Sequence, residues 1–401
     1  MNTQKFEGRV ALGLCRTTSG LMTLGLVALG LMTLGAAQAQ SVLTVAFMGP
    51  LSGSLKALGE EKRNGALLAL TQAGDRFNKL GYGLRLQSFD DEATVDVGFL
   101  QAQRILALPE VLMLVGPINS NVTQTVSAFF SKAHLGIVTM STSAQITEAG
   151  LLNVNRMVSR DDAQGPAAAD FIAGQLGAKT AYLVDDGTPL GKDSLESVEK
   201  RLAKKGVKVL GKLSLNLYSD FKLALEPLVK AKPDVVYFSG FYDVATGLLK
   251  RMREAKLSSV LVGTDGLDNP AFTRELKTLA EGVYYTNVVA PPAAYPRAGA
   301  FINAYRAKFG HDPSSYSVMG YDSMTVALSA LEDATVRAGG KPTREQVERA
   351  LRTVKLGETQ TLTGEVRFNA KGDRLKTSVY ILKIGSDLLR RVSLSMGVTP
   401  P

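Results

Sequence analysis

Residues 111–143 read VLMLVGPINSNVTQTVSAFFSKAHLGIVTMSTS. Val111–Val115 and Ile137–Met140 are short runs, rich in β-branched and apolar residues, the pattern of strands buried on both faces, and Val122–Ala133 between them carries helical spacing. A strand, a helix and a second strand in this order make a parallel pair. The same alternation extends backward: Leu43–Met48 and Leu84–Phe89 read as strands, Glu60–Ala73 and Val95–Leu106 as helices. After a polar stretch at Ser159–Asp162 it restarts, with strands at Ala181–Val184, Val207–Leu213, Val235–Ser239, Val260–Gly263 and Val283–Thr286. The helices between them fall at Leu195–Lys205, Phe221–Ala231 and Ala245–Glu254. Two α/β sheets follow one another. The remaining helices, Ala298–Phe309, Ser323–Glu332 and Arg344–Val354, and two late strand-like runs, Glu365–Phe368 and Ser378–Ile384, are too few for a third domain. They are expected to complete the two sheets, so the chain crosses between them several times, and such crossings form a hinge.

The chain of 401 residues is 45% hydrophobic and 21% charged, which excludes a disordered, collagen-like or many-spanning membrane protein. Its one cysteine, Cys15, cannot close an intrachain bridge, and His134 and His311 stand far apart, so no Cys/His metal cluster can be assembled. Lys5, Arg9 and Arg16 precede an apolar run from Leu21 to Leu34 containing LMTLG twice, and Ala37-Gln38-Ala39 follows as a small-x-small site. That reads as an export signal cleaved after Ala39, with an uncleaved anchor as the competing reading; at about 14 residues the run is short against the roughly 20 of a membrane span. Cys15 precedes the run and is not placed to carry lipid. Loss of residues 1–39 lowers the formal charge from +9 to about +7. The densest basic cluster, Lys200, Arg201, Lys204, Lys205, Lys208 and Lys212, closes a helix before Gly206, where cations suit the C-terminal dipole. Tryptophan is absent and no stacking aromatics interleave the cluster, so no nucleic-acid partner is expected.

Enzyme signatures are missing where the fold would display them: no GxSxG elbow, GxxxxGK[ST] loop, HExxH or strand-following GxGxxG. Gly49-Pro50-Leu51-Ser52-Gly53 has the wrong spacing for a dinucleotide fingerprint and reads as a plain strand-to-helix loop. Asp90-Asp91-Glu92 is expected to cap the helix that follows. No cofactor, metal or catalytic residue is expected. Open α/β sheets hold ligands at strand C-termini, and there Gly116-Pro117-Ile118-Asn119-Ser120 and Ser141-Thr142-Ser143 offer hydroxyls and free N–H groups for a carboxylate. Gly263-Thr264-Asp265-Gly266 offers one carboxylate for an ammonium. Helix capping by the serines and a loop role for Asp265 are the competing readings.

In the order GPLSG (Gly49), FDDEA (Phe89), GPINS (Gly116), DDAQGPAAADF (Asp161), DVVYFSGFYD (Asp234), GTDGL (Gly263), EGVYY (Glu281), GYDSM (Gly320) and LTGEVRFNAKGD (Leu362), the chain from Val45 to Ile384 resembles the type 1 periplasmic binding proteins of branched-chain amino acid ABC transporters. The resemblance implies two doubly wound parallel-sheet lobes, residues 40–160 with 291–376 and residues 161–290 with 377–401. Three crossovers would join them near Val158–Asp162, Val289–Pro292 and Lys376–Ser378. It implies that Ser120, Ser141, Thr142 and Ser143 hold an amino acid's carboxylate, Ser143 also reaching the ammonium. Asp265 would hold that ammonium from the second lobe, and Leu58, Leu190, Phe241 and Tyr316 would line the side-chain pocket. Leu58, Leu190 and Phe241 stand where the leucine/isoleucine/valine pattern usually has tyrosine, which makes this pocket more apolar and leaves its selectivity open. The implied protein is a monomeric receptor outside the cytoplasm, not lipid-anchored. It would close on an apolar amino acid and present it to a membrane permease. Amides, urea or aromatic acids are the alternative ligands on the same fold; a secreted α/β enzyme is the alternative of another class.

Overall fold

The computed structural model describes residues 41–400; the expected signal segment lies outside the described residues. Among the described residues no helix is long and apolar enough to cross a membrane.

The first sheet is built from β1 (Ser41–Gly49), β2 (Tyr82–Asp90), β3 (Val111–Val115), β4 (Gly136–Thr139) and β5 (Val154–Arg156) in the order β2-β1-β3-β4-β5, all parallel. Along β1 the side chains alternate. Leu43, Val45 and Phe47 join one apolar cluster with the helices Lys56–Lys79 and Ser315–Ala338, and Ala46 and Met48 join another with Val95–Leu106 and Ser120–Ser131. Helices on both faces explain why these strands read as unbroken apolar runs.

The second sheet holds β6 (Thr180–Asp185), β7 (Lys208–Ser214), β8 (Val235–Ser239), β9 (Val260–Gly263), β10 (Tyr284–Asn287), β13 (Thr377–Ile384) and β14 (Arg390–Val398), ordered β14-β13-β10-β9-β8-β6-β7. The strands from β7 to β10 are parallel; β13 runs antiparallel to β10, and β14 to β13. Two antiparallel strands therefore edge a sheet expected to be parallel throughout. The turn between β13 and β14 is too short for the crossover a parallel pair needs, and Gly385 and Leu389 exchange a backbone bond across it. The chain passes between the layers of the two sheets after β5, after β10 and before β13.

Other expectations shift. The run Glu365–Phe368 does not complete either large sheet: β12 (Val366–Arg367) pairs with β11 (Lys355–Leu356) in a two-stranded sheet of its own. The expected helix Phe221–Ala231 breaks into Phe221–Ala224 and Glu226–Ala231, because Pro227 cannot supply the N–H that a continuous helix would use. Asp90 and Asp91 do not cap Val95–Leu106, whose N-cap is Thr94. Asp90 Oδ1 accepts from the amides of Leu51 and Glu92, and Asp91 Oδ1 from that of Ala93, so the pair folds the loop instead.

Candidate functional site

In both sheets the strand order reverses beside the first strand of the unit, between β1 and β3 and between β6 and β8. The crevice at such a point opens at the strand C-termini. Loops from these ends meet in a cleft of about 580 Å³. Ile118, Asn119, Ser120, Met140, Thr142 and Ser143 line it from the first sheet, and Asp186, Ser239, Phe241, Thr264 and Asp265 from the second. Gly240, at φ +153°, and Gly266 let the second set converge: a Cβ on Gly266 would stand 2.2 Å from the Gly240 carbonyl oxygen.

Ser120 opens the helix Ser120–Ser131, whose first-turn N–H groups lack intrahelical partners and carry the positive end of the helix dipole. Its hydroxyl accepts from the Ser143 amide at 3.3 Å, tying the two hydroxyl-bearing loops together. Behind them Arg156, fully buried, ion-pairs with Asp373 at 2.7 Å and donates to the carbonyls of Ser141 and Ser143. A guanidinium thus fixes the shape of the loop without facing the cleft.

Leu58, Ser120, Thr142, Ser143, Phe241, Asp265 and Tyr316 all line the cleft. Ser141 is not brought there. It is 1% exposed, its hydroxyl shares a 2.6 Å bond with that of Thr123 and donates to the Ile118 carbonyl at 2.9 Å, and its amide donates to Thr139. Leu190 stands in the first turn of the helix Pro189–Lys204, and its side chain lies outside the described atoms.

Sequence reasoning passed over three charged cleft residues, Asp161, Lys62 and Asp186, of which the first two shape the electrostatics of the cleft. Asp161 opens the helix Asp161–Gly174; its Oδ1 accepts from Gln164 at 3.0 Å, while Oδ2 is buried without a hydrogen-bond partner among the described residues. Its carboxyl is pushed up from the ordinary range by burial, which outweighs the Thr142 hydrogen bond and the pull of Arg156. Asp265 is pushed up to about 7, first by burial and then by the negative charge of Asp161, with Lys62 pulling the other way. Two carboxyl groups in one cleft, the charge of Asp161 raising Asp265, make a site for a cation. The second overlooked residue is Lys62, one helical turn beyond Leu58; a lysine inside GEEKRN carries no sequence sign of burial, yet it is 2% exposed and lines the cleft. Among the described residues no cluster of three or more His, Cys, Asp or Glu side chains could hold a metal ion.

A family model described as periplasmic binding protein matches residues 42–387. The chain belongs to that family. Its members bind solutes and are not catalysts. Among curated relatives, the "leucine-, isoleucine-, valine-, threonine-, and alanine-binding protein" of Pseudomonas aeruginosa is 29% identical, the match covering 84% of this chain and 88% of the relative. A crystal structure of a leucine binding protein from Thermotoga maritima superposes with a TM-score of 0.78 at 22% identity, covering 88% of this chain and 98% of that one. A solute binding protein of Rhodopseudomonas palustris in complex with 4-hydroxybenzoate gives 0.77 at 18% identity, covering 90% and 98%. At these identities the two structures speak for the fold.

Proposed function

We propose that this periplasmic binding protein is the receptor of an ABC importer for an α-amino acid, held as a zwitterion between the sheets and handed to a membrane permease. The observation that carries the reading is the pair Asp161 and Asp265 set in one cleft with the hydroxyls of Ser120, Thr142 and Ser143 and a helix N-terminus. Mutual repulsion of the two carboxylates is relieved by an ammonium, and the hydroxyls and free amides suit a carboxylate. Leu58, Phe241, Tyr316 and Met319 offer apolar surface to the ligand's side chain. Ser141 contributes only by shaping the loop. The curated relative named for leucine, isoleucine, valine, threonine and alanine supports an amino acid. An amine-free aromatic acid, amide or urea would leave the two carboxylates without a cation in contact, since Lys62 bears on Asp265 only at a distance.

In this reading residues 1–39 are a cleaved export signal, and residues 40–160 with 291–376 form one lobe and 161–290 with 377–401 the other. The lobes close on the ligand about the three crossings. Thermal unfolding with each amino acid and its deaminated 2-oxo analogue tests the assignment. Saturation at about 100 times Kd adds roughly 2.7 kcal/mol to stability, so the amino acid is expected to raise Tm by several degrees and the 2-oxo acid not at all. Equal shifts from both would overturn it.

A further inference from the structure

Lys62 is a buried cation for which the fold supplies no anionic partner in contact. Its side chain lines the cleft, yet among the described residues its ammonium has no ion pair; its near neighbour is the face of the Tyr316 ring, 5.3 Å from the nitrogen to the centroid. A ring face attracts a cation but accepts no directed hydrogen bond of full strength. The two acids that precede it on the same helix are engaged elsewhere: Glu61 with Tyr305, Ser314 and Ser317, and Glu60 with Lys56 at 3.8 Å. Asp91 and Asp265 are the charged groups that bear on it electrostatically, neither in contact. Asp91 is fully buried and is not part of the cleft lining. A desolvated ammonium held beside a solute cleft is costly to keep unless the solute pairs with it.

Leu58 and Lys62 are four residues apart on one helix, hence on one face, with Tyr316 packed against that face. This is the stretch that the zwitterion reading gives to the ligand's side chain. Resting on that reading, we propose that Lys62 is the specificity-determining residue of the cleft and that the preferred solute is a dicarboxylic α-amino acid, whose second carboxylate meets the Lys62 ammonium over the Tyr316 ring. The side-chain pocket is then apolar along its walls and cationic at its end. It is built for a short methylene chain ending in an anion, not for a branched aliphatic group.

The test is calorimetric titration of ligand-free protein with aspartate, glutamate and leucine, repeated on Lys62→Met and Lys62→Arg. The parent is expected to bind the better dicarboxylic acid at least tenfold more tightly than leucine. Lys62→Met should weaken that acid about 10- to 100-fold while leucine binding is unchanged or improved, and Lys62→Arg should restore much of the loss. A parent that prefers leucine, or a Lys62→Met variant within twofold of the parent on the dicarboxylic acid, overturns the proposal. Should Lys62→Met fail to fold, Lys62→Gln reads the same loss, and the parent's ranking of the three ligands decides alone. A 2-oxo diacid separates the two claims. If it binds the parent as well as the amino diacid does and still responds to Lys62→Met, the zwitterion reading fails while the role of Lys62 stands.

Discussion

Gly320 packs so closely on the backbone of Lys62 that a Cβ at position 320 would stand 1.9 Å from the Lys62 carbonyl oxygen; Gly65 approaches Ser317 in the same way, at 2.0 Å. These two contacts draw the helices Lys56–Lys79 and Ser315–Ala338 together, and so press Lys62 against Tyr316 and out of water. Gly320→Ala must part the helices. We expect a loss of about 1–3 kcal/mol, the usual cost of overpacking, together with weaker ligand binding because Lys62 and Tyr316 move apart. Urea unfolding and calorimetry check both; unchanged stability would mean that the helices are free to slide.

Burial lowers the Lys62 ammonium to about 7, although Asp265 and Asp91 pull it upward. In the unfolded chain it keeps its proton to about pH 10.4. Between these values the unfolded state binds more protons, so this group's contribution to stability rises with pH there, and its full cost is felt below pH 7. Lys62→Met should therefore stabilise the unliganded protein by on the order of 5 kcal/mol at pH 6, with the advantage fading toward pH 10. Asp265 and Asp91, raised to about 7 and about 6, titrate with the opposite sign, their contribution to stability falling as pH rises toward 7, and so offset the dependence at its acid end. Denaturant unfolding of parent and variant from pH 6 to 10 reads the difference; a constant gap would contradict the burial of a charged lysine.

Asp265→Asn should weaken an amino acid about 10- to 150-fold, the worth of a charge-assisted bond of roughly 1.5–3 kcal/mol. The unliganded variant should be as stable as the parent or more so above pH 7, since it removes a carboxylate repelled by Asp161. Calorimetry and thermal unfolding report the two effects separately. Loss of folding would show a structural anchor instead.

Arg156→Met leaves Asp373 buried beside Thr147 and the more distant Arg160, 3.5 Å away. Breaking such a pair costs about 3–5 kcal/mol. It also releases the carbonyls of Ser141 and Ser143, so ligand affinity should fall along with stability. Retained affinity in a folded variant would show that the loop holds its shape unaided.

The parts of the fold legible in the sequence were those set by local pattern. Val111–Val115, Val235–Ser239 and Val260–Gly263 are strands to the residue, because apolar runs of four or five are bounded by turn-forming neighbours. The strand β14 escaped notice: its alternating Arg, Ser and apolar residues fit an exposed edge, and an edge strand need not be apolar. In the site, Thr142 and Ser143 reach the cleft while their neighbour Ser141 turns inward to Thr123, a choice made by a hydroxyl eighteen residues away and not by the STS run itself. Lys62 was hidden for the same kind of reason. Its burial comes from a helix some 250 residues later in the chain, through two glycines whose contact no local window contains.

The solute that travels with the protein tests the account most directly. Protein purified from the cell envelope without added ligand, then denatured, should release an α-amino acid detectable by mass spectrometry in near-stoichiometric amount, its affinity for the refolded protein falling with Asp265→Asn. Recovery of an amine-free acid that rebinds the Asp265→Asn variant as well as the parent would contradict it.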